Sequence, residues 1–390
     1  MKAYIVIDLG FGDSGKGITV DYLASQHTKN SLVIRYGGGH QSGHRVCLDK
    51  FSHVFSQFGA GTLRGVPTWL SSNCTVFPPS LLLEYDAISE YKPLLLIDPL
   101  TMITTPYDIA WNHAIESVNK HGSCGVGFGT TIERNNNGVR LYAKDIEFKW
   151  VFVEKLKAIR YYYDELSKSN GNPVINRYWQ KESADINEEV FIRKTIDSFK
   201  LFTIKTFYEA IKGMEVLIFE GHQGIMLDQD HGIYPHVTWS STVSNECFNL
   251  LNKINYNPIK SIDLYFVTRC FQTRHGNGPM SSSAMVKTIL PETEHNSTND
   301  FQGDFRTASI DNDLLRYAIM TDRVSAGEYR FNLRDKICEH LIVTCLDRVP
   351  DFDIQSFIDF FKNEFNTITG SYSPFSHDFK LLFKRNRNVL

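Results

Sequence analysis

The sequence predicts an α/β protein: a large, mostly parallel central sheet flanked by helices. Three observations carry that expectation. Short apolar strands recur along the chain, each running into glycine or a polar loop. Helical stretches lie between several of them. The first strand passes directly into a glycine-rich loop of the kind that holds phosphate. Strands alternating with helices pack as a parallel sheet covered on both faces, and ligands of such sheets bind beyond the carboxyl ends of the strands. No Pro/Ser-rich linker divides the 390 residues, so residues 1–390 read as a single domain with inserted loops and helices.

Taken in order, the strand Ala3–Leu9 runs into Gly10-Phe-Gly-Asp-Ser-Gly-Lys-Gly17. Glycines admit close backbone approach to an oligophosphate, a helix starting just beyond offers free N–H groups, and Lys16 adds a positive charge. The pattern G-x-x-x-x-G-K-[ST] holds from Gly10 to Lys16 and fails at Gly17, where a magnesium-binding hydroxyl is expected. The loop also carries an acid, Asp13. The helix Gly17–Ser25 follows, with Ile18, Val20 and Leu23 apolar. Strand Ser31–Arg35 leads into the second glycine-rich segment, Gly37–Gly43, and Leu94–Ile97 is a further strand. Val151–Leu166, rich in aromatic and basic residues, and Phe191–Lys212 have helical spacing. Val216–Phe219, Leu264–Val267 and His340–Thr344 are three more strands. Asn135–Gly138 and Glu292–Gly303 read as mobile surface loops. There is no internal repeat.

The composition excludes several classes. A formal net charge of -3 lacks the Lys and Arg surplus of a nucleic-acid-binding face. Seven scattered cysteines with no C-x-x-C pair read as reduced thiols, neither a disulfide framework nor a zinc site. No basic-then-apolar leader opens the sequence, and no apolar run approaches the ~20 residues that cross a bilayer. The expectation is a soluble, cytoplasmic protein with no membrane or nucleic-acid partner.

Chemistry-bearing residues cluster in six segments. The phosphate loop supplies Gly12, Asp13, Ser14, Gly15, Lys16 and Gly17. Arg35-Tyr-Gly-Gly-Gly-His-Gln-Ser-Gly-His44 offers His40 and His44 either as acid–base groups or phosphate donors, or as ordinary solvated loop histidines. The stretch Phe219–Thr242 mixes amide, acid, imidazole and hydroxyl groups. In it Gln223 is suited to reading a base edge, and Asp228, Asp230 and His231 form a turn in which Asp side chains bond backbone N–H groups in preference to a metal site. Thr273-Arg-His-Gly-Asn-Gly-Pro279 supplies Arg274. Phe301-Gln-Gly-Asp-Phe-Arg-Thr307 offers Arg306 as a carboxylate or phosphate clamp. Thr344-Cys-Leu-Asp347 ends a strand with an acid that is either a helix cap or a guanine-reading carboxylate.

The order and spacing of these segments together are far more specific than any one alone. Gly-Asp-x-Gly-Lys-Gly, Gly-His-x-x-Gly-His, Phe-Glu-Gly-x-Gln-Gly-x-x-Leu-Asp-x-Asp-x-Gly-x-Tyr-Pro-x-Val-Thr, Thr-Arg-x-Gly-x-Gly-Pro and Thr-x-Leu-Asp resemble the adenylosuccinate synthetase family from residue 4 to about 370. The resemblance implies that family's P-loop NTPase-like fold. It also implies a ligase that phosphorylates the purine 6-oxygen of IMP with GTP and then displaces that phosphate with L-aspartate. By resemblance Asp13 is the base for the ring N1 proton, and it holds Mg2+ together with the Gly43 carbonyl. This accounts for Gly17, because no hydroxyl is then needed. His44 matches the family's catalytic histidine. Gly12, Ser14, Gly15, Lys16, Gly17, Arg306 and Asp347 fall on the nucleotide side. Gln41, Ser123, Cys124, Gln223, Thr238 and Arg274 fall on the monophosphate side. A homodimer is implied, because members complete the monophosphate site across the subunit boundary.

The chain departs from the family at substrate-recognition positions. Ser14 replaces a Glu, Gln41 an Asn, Val126 an Arg and Cys345 the Lys that stacks on guanine. Of the aspartate-binding arginines only Arg306 has a clear counterpart. Arg134 and Arg140 are the candidates for the arginine given to a neighbouring subunit. These departures open the same chemistry on GMP or dGMP, with ATP or another amine donor, as in phage relatives. That branch replaces the loop acid, whereas Asp13 is retained here. A purine sensor without chemistry is the remaining alternative, and it gives no reason to keep Asp13, Lys16 and His44.

Overall fold

Ten strands of the computed structural model join into one sheet. In chain order they are β1 (Lys2–Asp8), β2 (Ser31–Arg35), β3 (Thr68–Leu70), β4 (Leu95–Ile97), β5 (Phe202–Ile204), β6 (Val216–Glu220), β7 (Ser261–Arg269), β8 (Ile337–Thr344), β9 (Thr367–Ser371) and β10 (Phe379–Lys384). The spatial order is β10-β9-β8-β7-β1-β6-β2-β3-β4-β5. Every pairing is parallel except that of β9 with β10. The structure describes residues 1–119, 122–255, 258–282, 284, 286, 288 and 303–385. Apart from Gly303, the loop expected over Glu292–Gly303 lies outside them, as do Phe301 and Gln302.

Strand alternation splits the core in two. In β1, Ala3, Ile5 and Ile7 point into one hydrophobic cluster, and Tyr4 and Val6 into the other. Strands β2 and β6 divide the same way, Leu32, Ile34, Leu217 and Phe219 against Val33, Val216 and Ile218. Both faces are buried, so these strands read as continuous apolar runs, as parallel strands do. Helices Asn245–Asn252, Asn312–Ser325 and Ile354–Phe361 contribute to the first cluster. Helix α1 (Lys16–Gln26) and the helices inserted between β4 and β5 contribute to the second.

Two expectations are corrected here. Phe191–Lys212 is not one helix: the helix Glu188–Ser198 ends, a turn follows, and Phe202–Ile204 becomes the edge strand β5 beside β4. The three residues carry too short a pattern to show their period, and their pairing partner is some hundred residues earlier. Asn135–Gly138 is a surface loop only in its second half: Asn135 and Asn136 close the helix Phe128–Asn136, with Asn135 buried, and Asn137 and Gly138 form an exposed turn. Among the described residues no helix is long and apolar enough to cross a membrane.

Because β1, β2, β6, β7 and β8 run in parallel, their carboxyl ends share one edge of the sheet. The glycine-rich segments leave from that edge and border one cleft of about 1460 Å³.

Candidate active site

The phosphate loop is built around a residue that sequence reasoning missed, Asp8. Its fully buried carboxylate accepts from the Gly10 amide (2.8 Å), the Ser14 amide (3.0 Å), the Ser14 hydroxyl (2.7 Å) and the Lys16 ammonium (2.8 Å). A charge buried in an apolar strand requires such partners, and an acid at the end of an otherwise apolar run was the signal. Ser14, expected to face a nucleotide, is buried and bonds inward to Asp8. Lys16 borders the cleft, and its Nζ also donates to the Gly12 carbonyl. Gly15 takes a left-handed φ of 101° ahead of α1. A Cβ at Gly17 would stand 2.9 Å from the Arg45 carbonyl oxygen and 3.1 Å from the His44 Cβ. The hairpin His44–Leu48 therefore packs too closely on α1 for the missing hydroxyl residue.

Neighbouring strands clamp the loop. Thr344, at the end of β8, donates to the Ser14 carbonyl (2.8 Å), and Arg269, at the end of β7, donates through Nε to the Asp13 carbonyl. From the segment after β6, the Met226 amide reaches the Gly10 carbonyl at 3.1 Å.

Asp13 and His44 both border the cleft. The Asp13 carboxylate is partly exposed and lies 3.1 Å from Nε2 of His275, which stands on the hairpin strand Phe271–His275. Burial pushes the Asp13 carboxyl up, but the His275 hydrogen bond and the charges of Arg269, His275 and Lys16 outweigh it and hold the group below its ordinary range. His44 is buried, with Nδ1 bonded to the Glu220 carboxylate at the end of β6. Glu220 is itself fully buried and accepts from the Ala60 amide at 3.1 Å. Burial pulls His44 below its usual value; Glu220 opposes this, and the positive Lys16 and Arg35 reinforce it. Burial pushes Glu220 up, but His44, Arg35 and the Ala60 amide overcome it and keep the group ionised. The pair is therefore a carboxylate on a neutral imidazole. Its proton is assigned to Nδ1 by that partner, which leaves Nε2 as the basic nitrogen.

The predicted monophosphate-side residues converge on the same cleft: Gln41, Ser123, Cys124, Gln223, Thr238 and Arg274 all line it. Both polar atoms of the Gln41 amide and Oε1 of Gln223 are buried with no hydrogen-bond partner among the described residues. Buried amides in that state mark ligand-facing positions. A Cβ at Gly224 would lie 2.2 Å from the Gly10 carbonyl oxygen, so glycine lets the Gln223 segment press against the phosphate loop. Thr238 is anchored through its amide to the Leu227 carbonyl at 2.7 Å. Arg274 is buried, with its guanidinium 4.4 Å from the centre of the Phe11 ring. Burial, then the charge of Arg306, lowers it to about 10.

The loop carrying Ser123 and Cys124 is held by the helical insertion. Asn112 donates to the Ser123 hydroxyl (2.9 Å) and accepts from the Gly127 amide (3.1 Å). Burial pushes the Cys124 thiol up to about 11, so it is protonated at neutral pH. Arg134 cannot serve a neighbouring subunit: it is fully buried and pairs with Asp108 through Nε (2.7 Å) and Nη2 (3.2 Å). Arg140 is exposed.

Gly43 and Asp347 also border the cleft. Asp347 caps no helix; its carboxylate lies 2.9 Å from Nε of Arg348. Arg306 pairs in register with Arg274, and its guanidinium is taken up by the Gly276 and Gly278 carbonyls, outside the cleft lining. The Asp228 expectation holds: its carboxylate accepts from the amides of Asp230 (2.9 Å) and His231 (3.2 Å). Among the described residues no group of three His, Cys, Asp or Glu side chains is placed to hold a metal. Glu220, Arg269 and His275 also escaped sequence reasoning, because only the fold brings them to their partners.

Comparison with known proteins gives the family and the fold. Residues 5–327 match the family model described as adenylosuccinate synthetase. The adenylosuccinate synthetases of Pasteurella multocida and Histophilus somni are 29% and 31% identical to the chain, over 72% of it in each case. The match spans 65% of either relative's length, just under two thirds. The fully ligated adenylosuccinate synthetase of Plasmodium falciparum superposes with a TM-score of 0.63 at 18% identity, covering 89% of this chain and 77% of that one. The cyanophage S-2L succinoaminodeoxyadenylate synthetase, bound to dGMP and dATP, superposes at 0.66 and 14% identity, covering 97% and 95%. At those identities the two structures speak for the fold.

Proposed function

Because the chain belongs to the adenylosuccinate synthetase family, we propose that it is a purine-nucleotide ligase. In this reading it transfers a phosphoryl group from a nucleoside triphosphate to the 6-oxygen of a purine monophosphate, and the amine of L-aspartate then displaces that phosphate. IMP and GTP are the leading substrates. The observation that carries the reading is the meeting, in one cleft, of an ionised Asp13, a neutral His44 backed by Glu220, and the unsatisfied amides of Gln41 and Gln223.

Asp13 takes the ring N1 proton, which moves negative charge onto an otherwise poor nucleophile, the 6-oxygen. His44 stabilises charge on the moving phosphoryl as a hydrogen-bond donor from Nε2, in its imidazolium form, which the Glu220 carboxylate at Nδ1 supports. Gln223 and Thr238 hold the monophosphate, with Gln41 beside them and Ser123 and Cys124 at its 5′-phosphate. The α1 amides, Gly12, Gly15, Lys16 and Gly17 hold the triphosphate, and Asp347 reads its base. Arg306, tied to backbone carbonyls, keeps the Arg274 hairpin in shape, and Arg274 borders the substrate. The donor set suits Mg2+, which binds through one or two carboxylates plus substrate phosphates and needs no all-protein cage. Asp13 and the Gly43 carbonyl would hold the ion, whose chemistry is to neutralise phosphate charge. A homodimer with Arg140 as the exchanged arginine belongs to the same reading.

One observation favours a second substrate. The dGMP- and dATP-bound cyanophage enzyme matches nearly the whole length of both chains, and the departures at Ser14, Val126 and Cys345 concern recognition rather than chemistry. Phosphate release with IMP, GMP and dGMP, each with GTP or ATP and aspartate, tests the choice. Release with IMP supports the leading reading; release with dGMP and none with IMP replaces it. Asp13→Ala is expected to abolish turnover while nucleotide binding persists, and near-normal turnover in that variant contradicts the mechanism.

A further inference from the structure

Asp13 is gripped at both ends by one short stretch of chain. Arg269 at the end of β7 takes its backbone carbonyl, and His275, six residues on, takes its carboxylate, with Nε2 3.1 Å from Oδ2. His275 occupies the unassigned third position of Thr-Arg-x-Gly-x-Gly-Pro, to which the family pattern gives no role. Its ring is not loose. It packs against Phe305 with centroids 4.9 Å apart, and His275 and Phe305 are register partners in the antiparallel hairpin of Phe271–His275 with Phe305–Ser309. Both His275 and Asp13 border the cleft.

A carboxylate on a one-carbon stem turns easily about its last bond and presents either oxygen. A general base must hold one oxygen within about 2.6–3.2 Å of the proton it removes. We infer that His275 is a positioning residue for Asp13, whose hydrogen bond to Oδ2 fixes the carboxylate so that Oδ1 is the oxygen offered to the purine ring. The inference rests on the proposed function for its kinetic consequence, and on geometry alone for the orientation of Asp13. His275 acts through the orientation of Asp13, so its removal changes kcat more than binding.

The test compares His275→Ala with His275→Gln, whose amide nitrogen restores a donor at the reach of Nε2. Misplacing a reacting group by about 1 Å costs up to 100-fold, so His275→Ala is expected to lose roughly 10- to 100-fold in kcat. KM for monophosphate and triphosphate should stay within about threefold, and His275→Gln should recover most of the rate. Unchanged kcat in His275→Ala, or a glutamine variant as slow as alanine with an unshifted melting temperature, overturns the inference. A crystal structure of His275→Ala decides the orientation even if no purine monophosphate turns over, an outcome that would sink the functional reading instead. A rotated Asp13 side chain supports the inference, and one in its original rotamer refutes it.

Discussion

At the scale of single residues, the cleft depends on buried charges matched to specific partners. His44 is held by Glu220, and that carboxylate fixes its tautomer. Glu220→Gln removes the charge while keeping the shape. We expect kcat to fall at least tenfold with little change in KM, measured by steady-state kinetics; an unchanged kcat would mean that the pair is structural. His222 gives a second residue-scale prediction. Its Nε2 lies 2.7 Å from the Ser240 hydroxyl beneath Gly37 and Gly38. Burial, then the charges of Arg35 and Lys16, lowers it to about 3. Since an unfolded histidine titrates near 6.5, the folded chain resists a proton that the unfolded chain accepts. The stabilisation is complete above about pH 6.5 and drains away as pH falls toward 3, at up to about 1.4 kcal/mol per unit. His222→Gln should flatten that decline in urea midpoints taken between pH 7.5 and pH 5; an unaltered slope would count against it.

At the scale of elements, Gly17 shows how a motif that fails in sequence succeeds in space. The glycine has a packing reason, since the Arg45 carbonyl and the His44 Cβ leave its position no room. Gly17→Ser should therefore push the hairpin and α1 apart. The expected result is a lower melting temperature and weaker triphosphate binding, with no gain in metal affinity; tighter magnesium binding would contradict this account. The same scale explains what the sequence made legible. The strands bearing glycine-rich segments could be found because each is a continuous apolar run with a sharp polar stop, and the order of those stops carried the site. Strand β5, with three residues and a distant partner, had no local period to read. Glu220 and His275 were equally silent, since each acquires its meaning from a residue that only the fold brings near, whereas Asp8, with partners within eight residues, was legible as an acid ending an apolar run. Ser14 was legible as a departure but misread as ligand-facing, because sequence does not say which way a loop hydroxyl turns.

At the scale of the whole molecule, one edge of a parallel sheet collects the chemistry, and a helical insertion between β4 and β5 closes the far side of the cleft. That insertion hangs on the buried Asp108–Arg134 pair, reinforced by the Tyr163 hydroxyl 2.7 Å from Asp108. Arg134→Met leaves Asp108 uncompensated and should cost about 3–5 kcal/mol in denaturant unfolding. It should also raise KM for the monophosphate, because the Ser123–Cys124 loop precedes the same helix.

In the proposed reaction the 6-oxygen of the purine becomes the phosphoryl acceptor. Turnover with a monophosphate labelled with oxygen-18 at that position, followed by mass spectrometry of the released phosphate, decides it. The label should appear in the phosphate. Phosphate released without the label, from the same turnover, would contradict it.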